Sequence, residues 1–177
     1  MYAELHCHSN YSFQEGASSV EDLLVRAHDL GYRALALTDH DNLCGAMHFA
    51  QVAKTLEMQS ITGVEMTIKD GQDGKENSHL TFLAETKEGY SQLSNLISYS
   101  YVAADRRNPA LDLKYLPDDL DGLILLTGCR TGRVPSLLTE GRFAEAETQL
   151  RQYLDWFGTD NVFVELQQNL VQGDTSR

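Results

Sequence analysis

Cysteine is scarce in this chain: Cys7, Cys44 and Cys129 are an odd number with no paired spacing. That speaks against a disulfide framework and for a reducing, cytoplasmic setting. Long apolar runs are missing too. None approaches the ~20 residues of a membrane span, and the opening MYAELHCHS has neither the charged head nor the apolar stretch of a secretory signal. No membrane partner is therefore expected. Basic residues are few, 14 against 26 acidic ones, and a formal charge of −12 argues against a broad basic face gripping nucleic acid within this segment. A nucleic-acid role for a longer protein is not excluded, and bound cations can offset part of the acidic excess. Internal repeats and low-complexity stretches are absent.

What is there reads as a globular domain, or part of one. A chain of 177 residues, 42% of them apolar, buries roughly 70% of its unfolded surface and needs no staple to hold a core. Period-2 alternation in YAELHCH puts Tyr2, Glu4, His6 and His8 on one face and Ala3, Leu5 and Cys7 on the other. SSVEDLLVRAHDLG predicts a helix, opened by a Ser18–Glu21 capping box and closed by Gly31. RALALT follows as a buried strand, GAMHFAQVAKTLEM as an amphipathic helix, then SITGVEMTI and HLTFLAE as strands separated by the polar tract KDGQDGKENS. A third helix is predicted over 89–102, then an irregular crossing, the strand GLILLTG, a helix in RFAEAETQLRQYLDWFG with Phe143, Ala146, Leu150 and Leu154 inward, and the strand NVFVEL. Strand then helix, repeated, predicts an α/β fold with mostly parallel strands.

In such folds chemistry gathers at the carboxyl ends of strands. Those ends read HCHS, TDHDN, GVEM and TGCRTG, each with a metal-ligating residue. His6 and His8 project to the same side, so two imidazoles can meet one ion. His40 sits between Asp39 and Asp41, either of which can orient its ring. Glu65 interrupts an apolar strand, where a carboxylate is costly unless paired or metal-bound, and where it can bridge two ions. His79 opens the fourth strand, and Cys129 after the fifth offers a thiolate. Taken singly, most of these residues are better explained as turn caps, ion pairs or packed thiols; taken together, their shared position favours metal. His28 and His48 lie within helices and read as structural, and Cys7 and Cys44 as packing residues. The donor set suits Zn²⁺ or Mn²⁺, with Fe²⁺ also compatible, better than Mg²⁺, in a cluster of two or three ions. The matching reaction is hydrolysis of a phosphoester, with Glu65 and Asp39 the carboxylates expected to serve it.

ELHCHSNYSF, ALTDHDNL, ITGVEM and HLTFLA, in this order, resemble the PHP (polymerase and histidinol phosphatase) family. The likeness is strongest to the N-terminal PHP domain of bacterial C-family DNA polymerases, with AELHCHS and TGCRTG more similar to the error-prone branch. The resemblance implies an incomplete distorted (β/α)₇ barrel with a trinuclear centre supporting phosphoesterase or 3′–5′ exonuclease activity. It implies metal ligands at His6, His8, Glu15, His40, Glu65, His79 and Cys129. Glu15 stands where aspartate is usual, Asn169 where many polymerases have histidine, and no N-D-x-H motif follows. Residues 1–177 are therefore expected to be the N-terminal part of a PHP domain whose partners are the other polymerase domains and, through the whole polymerase, DNA. The alternatives are a metal-stabilised structural module and a free-standing phosphatase for a small ester such as histidinol phosphate. Arg130 and Arg133 are candidates to steady a substrate phosphate.

Overall fold

In the computed structural model, which describes residues 2–69, 77–103, 108–117 and 120–167, five strands form one sheet in chain order. They are β1 (Ala34–Leu37), β2 (Gln59–Ile68), β3 (Ser78–Ala84), β4 (Leu123–Leu126) and β5 (Val162–Phe163). The helices α1 (Val20–Asp29), α2 (Ala46–Thr55), α3 (Lys87–Ala103), α4 (Arg133–Thr139) and α5 (Phe143–Phe157) fill the connections. The α/β alternation read from the sequence is the fold observed.

One strand runs the other way. β1 and β2 pair in parallel, as do β4 and β5, but β3 is antiparallel to both β2 and β4. The cause is visible in the chain: a parallel pair needs a long crossover, and only a polar tract without helical periodicity joins β2 to β3. Residues 70–76 of that tract, and Asn169, lie outside the described residues. Reversal of β3 brings its first residues to the sheet edge where β1, β2 and β4 end.

The segment before β1 is extended but forms a single parallel bridge, Glu4 to Leu35, instead of the strand expected over Tyr2–His8. Its N–H groups are satisfied elsewhere. Leu5 and His6 donate to the Glu4 carboxylate at 3.1 and 3.2 Å, and Cys7 donates to Thr38 Oγ1 at 2.9 Å. The segment still runs beside β1, its carbonyls at Glu4 and Cys7 accepting from Ala36 and Thr38.

Two apolar layers position this sheet. Val64, Met66, Leu80, Phe82 and Leu125 pack with Leu93 and Leu96 of α3 and Tyr153 and Phe157 of α5. Leu35 and Leu37 pack with Leu24 of α1 and Phe49 of α2. Fully burying each such side chain contributes roughly 1.5–3 kcal/mol. Two local details differ from the expected ones. The cap of α1 is Ser19, whose side chain accepts from the Asp22 N–H at 3.1 Å, one residue later than a Ser18–Glu21 box. On α5 the inward face is Ala146, Tyr153 and Phe157, and Phe143 is 67% exposed.

The sheet curls on itself. Laid flat, the N-terminal segment and β5 would stand about 24 Å apart at the usual strand spacing. Instead Glu165, just past β5, lies 2.6 Å from His6. The result is barrel-like, with a groove of about 1310 Å³ between the two outer segments.

Candidate metal centre

Period 2 in the extended N-terminal segment turns His6 and His8 the same way, and their Nε2 atoms lie 3.1 Å apart. Cys7, between them, faces the opposite side and packs against the α1–α2 cluster; burial pushes its thiol up to about 11, helped by the charges of Glu4 and Asp39. Cys44, expected to pack, is exposed.

Glu65 is the hub. It is 2% exposed, on the part of β2 where an apolar strand meets the functional edge. Its Oε2 lies 2.9 Å from His40 Nε2, 3.1 Å from His8 Nε2 and 3.2 Å from His6 Nε2, and its Oε1 is 3.4 Å from His79 Nδ1. The His79 contact is an ion pair, and Oε1 accepts no hydrogen bond from the described residues. Burial raises the Glu65 carboxyl, but the four imidazoles around it, His40 foremost, outweigh that and hold the group far below the usual carboxylate range. The imidazoles respond in turn. Burial lowers His6, yet Glu165 and Glu65 push it up to about 10. Cys129 and then Glu65 push His79 up to about 10 against burial. His40 is also raised, Glu65 overcoming burial.

The remaining expected ligands join from turns. Glu15 Oε2 reaches His40 Nε2 at 2.6 Å, so the longer glutamate does meet the cluster. The 9–16 turn that carries it is tight, with Gly16 N–H and Glu15 N–H both donating to Ser12 O. A Cβ on Gly16 would sit 1.9 Å from the Ser9 carbonyl oxygen, so only glycine fits there. Cys129 Sγ lies 4.0 Å from His79 Nδ1, with Thr131 Oγ1 beside both. Its loop begins at Gly128, whose φ of +85° lets the backbone press against the His79 carbonyl. His79 reaches the cluster from the start of β3 because that strand is reversed.

Six of the seven expected ligands thus meet in two groups that share Glu65: His8, Glu15, His40 and Glu65, and Glu65, His79 and Cys129, with the donor atoms within 4.8 Å of one another in each. His6 adjoins the first through His8 and Glu65. The donor chemistry fits a divalent cation. A buried carboxylate oxygen to which no described residue donates, two imidazole nitrogens facing each other and a thiol at the rim are groups that bound cations satisfy.

Asp39 and Asp41 do not orient the His40 ring. Both Asp39 oxygens are engaged, accepting from Ser9 N–H, Ser9 Oγ and Ser12 Oγ at 2.7 Å each. Ser12 Oγ is 2.9 Å from His8 Nδ1, so Asp39 is linked to His8 through Ser12. Asp41 accepts from the N–H and hydroxyl of Thr67. His28 and His48 pair with Asp29 and Glu21, away from Glu65.

Sequence reasoning missed Glu165. Its Oε1 lies 2.6 Å from His6 Nδ1. The available signal was a carboxylate at the end of the strand NVFVEL, the same pattern that singled out the other ligands.

The PHP domain family model matches residues 4–169. The error-prone DNA polymerase of Cutibacterium acnes is 42% identical over 98% of this chain and 16% of its own length. The DNA polymerase III subunit alpha of Treponema pallidum is 39% identical over 94% of this chain and 15% of its own. The chain therefore spans about a sixth of the curated relatives it matches. A solved amidohydrolase from Chromobacterium violaceum superposes with a TM-score of 0.43 at 22% identity, covering 86% of this chain and 55% of that one. Among the described residues no helix is long and apolar enough to cross a membrane.

Proposed function

The chain belongs to the PHP domain family, and from that premise and the Glu65 centre we propose that it is a metal-dependent phosphoesterase domain acting on the 3′ end of DNA within a C-family polymerase of the error-prone type. The observation that carries this reading is Glu65, a buried carboxylate shared by two ligand groups that together present imidazole, carboxylate and thiol donors. Zinc or manganese bound there supplies Lewis-acid polarisation of a phosphoryl oxygen and makes water nucleophilic near neutral pH. Glu65 keeps the two groups in fixed relation. Asp39 and Ser12 hold the His8 ring, and Glu15 and Glu65 hold that of His40. Arg130 follows Cys129 directly and is exposed, which supports a role in steadying the scissile phosphate. The relatives' description as DNA polymerases supports DNA as the substrate and the remaining polymerase domains as partners.

The test is metal content by mass spectrometry together with release of nucleotides from a labelled 3′ end, for wild type and His8→Ala. Bound zinc or manganese with cleavage, both reduced in the variant, supports the proposal. Bound metal without cleavage of any 3′ end leaves a metal-stabilised structural module instead. An unchanged variant refutes the ligand assignment at His8.

A further inference from the structure

We infer that Glu165 is a positioning residue of the metal centre, fixing the His6 ring so that Nε2 faces the ions. This rests on the metal reading above and goes beyond it, since Glu165 belongs to neither ligand group. An imidazole that offers one nitrogen to a metal must carry its proton on the other, and an acceptor there sets both tautomer and ring angle. His6 Nε2 points into the cluster, 3.1 Å from His8 Nε2 and 3.2 Å from Glu65 Oε2. Its Nδ1 points the opposite way. Three groups among the described residues stand near it: Glu165 Oε1 at 2.6 Å, Gln167 Nε2 at 3.2 Å and Thr81 Oγ1 at 3.3 Å. Glu165 is the closest of them and the charged acceptor.

Glu165 is itself held. Its N–H donates to Thr127 Oγ1 at 3.0 Å, tying it to the end of β4, and Gln167 Nε2 donates to Oε1 at 2.6 Å. Its side chain is 9% exposed, and Oε2 is buried without a hydrogen-bond partner among the described residues. A carboxylate this enclosed is costly unless a charged group nearby depends on it, and His6 is the group it touches. The pairing parallels Asp39–Ser12–His8, so each histidine of the opening pair has its own carboxylate behind it. The His6 support arrives from the far edge of the curled sheet.

Two substitutions in the full chain test this. Glu165→Gln keeps the shape and an accepting oxygen but drops the charge; Glu165→Ala removes both. Zinc affinity is measured by competition with a chromophoric chelator, and the His6 Nδ1 proton by NMR of the zinc-loaded protein. The alanine variant is expected to bind zinc roughly 10- to 100-fold more weakly, and the glutamine variant to lose less. The His6 Nδ1 proton, far downfield in wild type, is expected to move upfield in Glu165→Gln and to disappear by exchange in Glu165→Ala. If the alanine variant does not fold, the isosteric glutamine variant carries both readouts. A purely structural role would lower the melting temperature of the metal-free chain while leaving zinc affinity and the proton resonance of Glu165→Gln unmoved, and that result overturns the inference. A wild-type chain that takes up neither zinc nor manganese overturns the metal reading, and this inference with it.

Discussion

Replacing Glu65 by glutamine removes one charge and almost no volume from the middle of the site, so its consequences separate electrostatics from packing. Three imidazole nitrogens lie within 3.2 Å of Oε2. A carboxylate oxygen accepts about two hydrogen bonds well, and each charge-assisted one contributes roughly 1.5–3 kcal/mol, so about 3–6 kcal/mol depends on that charge. The imidazoles recover part of it by losing their protons, which leaves an expected loss of about 3 kcal/mol for the metal-free chain. The larger effect is on metal. Without Glu65 the first ligand group keeps His8, Glu15 and His40 and the second keeps only His79 and Cys129. The affinity loss should exceed the roughly 10- to 100-fold that follows removal of a supporting hydrogen-bond partner. Urea denaturation with and without zinc measures both. Zinc at a hundred times its dissociation constant should stabilise wild type by about 2.7 kcal/mol per site and leave Glu65→Gln unmoved. A variant that keeps one ion at full affinity would show that the two groups do not share this carboxylate, and the hub would be wrong.

The same sharing predicts unequal effects at the rim: Cys129→Ser should weaken one ion, Glu15→Gln a different one, and metal analysis of the double variant should show both losses adding. The pH dependence of the metal-free chain has a definite sign. His6 and His79 are pushed up to about 10, so the stability their protonated forms contribute is complete below their ordinary value near 6.5 and is lost as the pH climbs towards 10. Glu65, held low, contributes above its ordinary range and loses that contribution as the pH falls. Denaturation in the presence of chelator should therefore show stability falling through the alkaline window, while zinc affinity rises across the same window because the ion displaces those protons. At the 9–16 turn, Gly16→Ala forces a Cβ to within 1.9 Å of the Ser9 carbonyl oxygen; a loss of about 3 kcal/mol is expected, read by thermal melting, together with weaker zinc binding through displacement of Glu15.

Residue chemistry and local periodicity were enough to single out His6, His8, His40, Glu65, His79 and Cys129 and most of the elements, whereas Glu15 followed from the family resemblance. An HxH pair on extended backbone, a glutamate inside an apolar strand and a thiol in a glycine-bounded turn each break a pattern that packing alone would keep, and such breaks are visible along the chain. Helix limits followed from caps and apolar stripes, which act over a few residues, so they were recovered to within two or three residues at α1 and α2. What escaped were relations between distant segments. The direction of β3, which brings His79 to the functional edge, depends on pairing with β2 and β4 and not on its own alternation. Asp39 and His8 are related through Ser12, which hydrogen-bonds both, whereas the chain shows Asp39 only as the neighbour of His40. Glu165 meets His6 because the sheet curls through its full width, and curvature is the sum of twists over many strands. Local free energies chose the donors; tertiary packing chose which of them face one another.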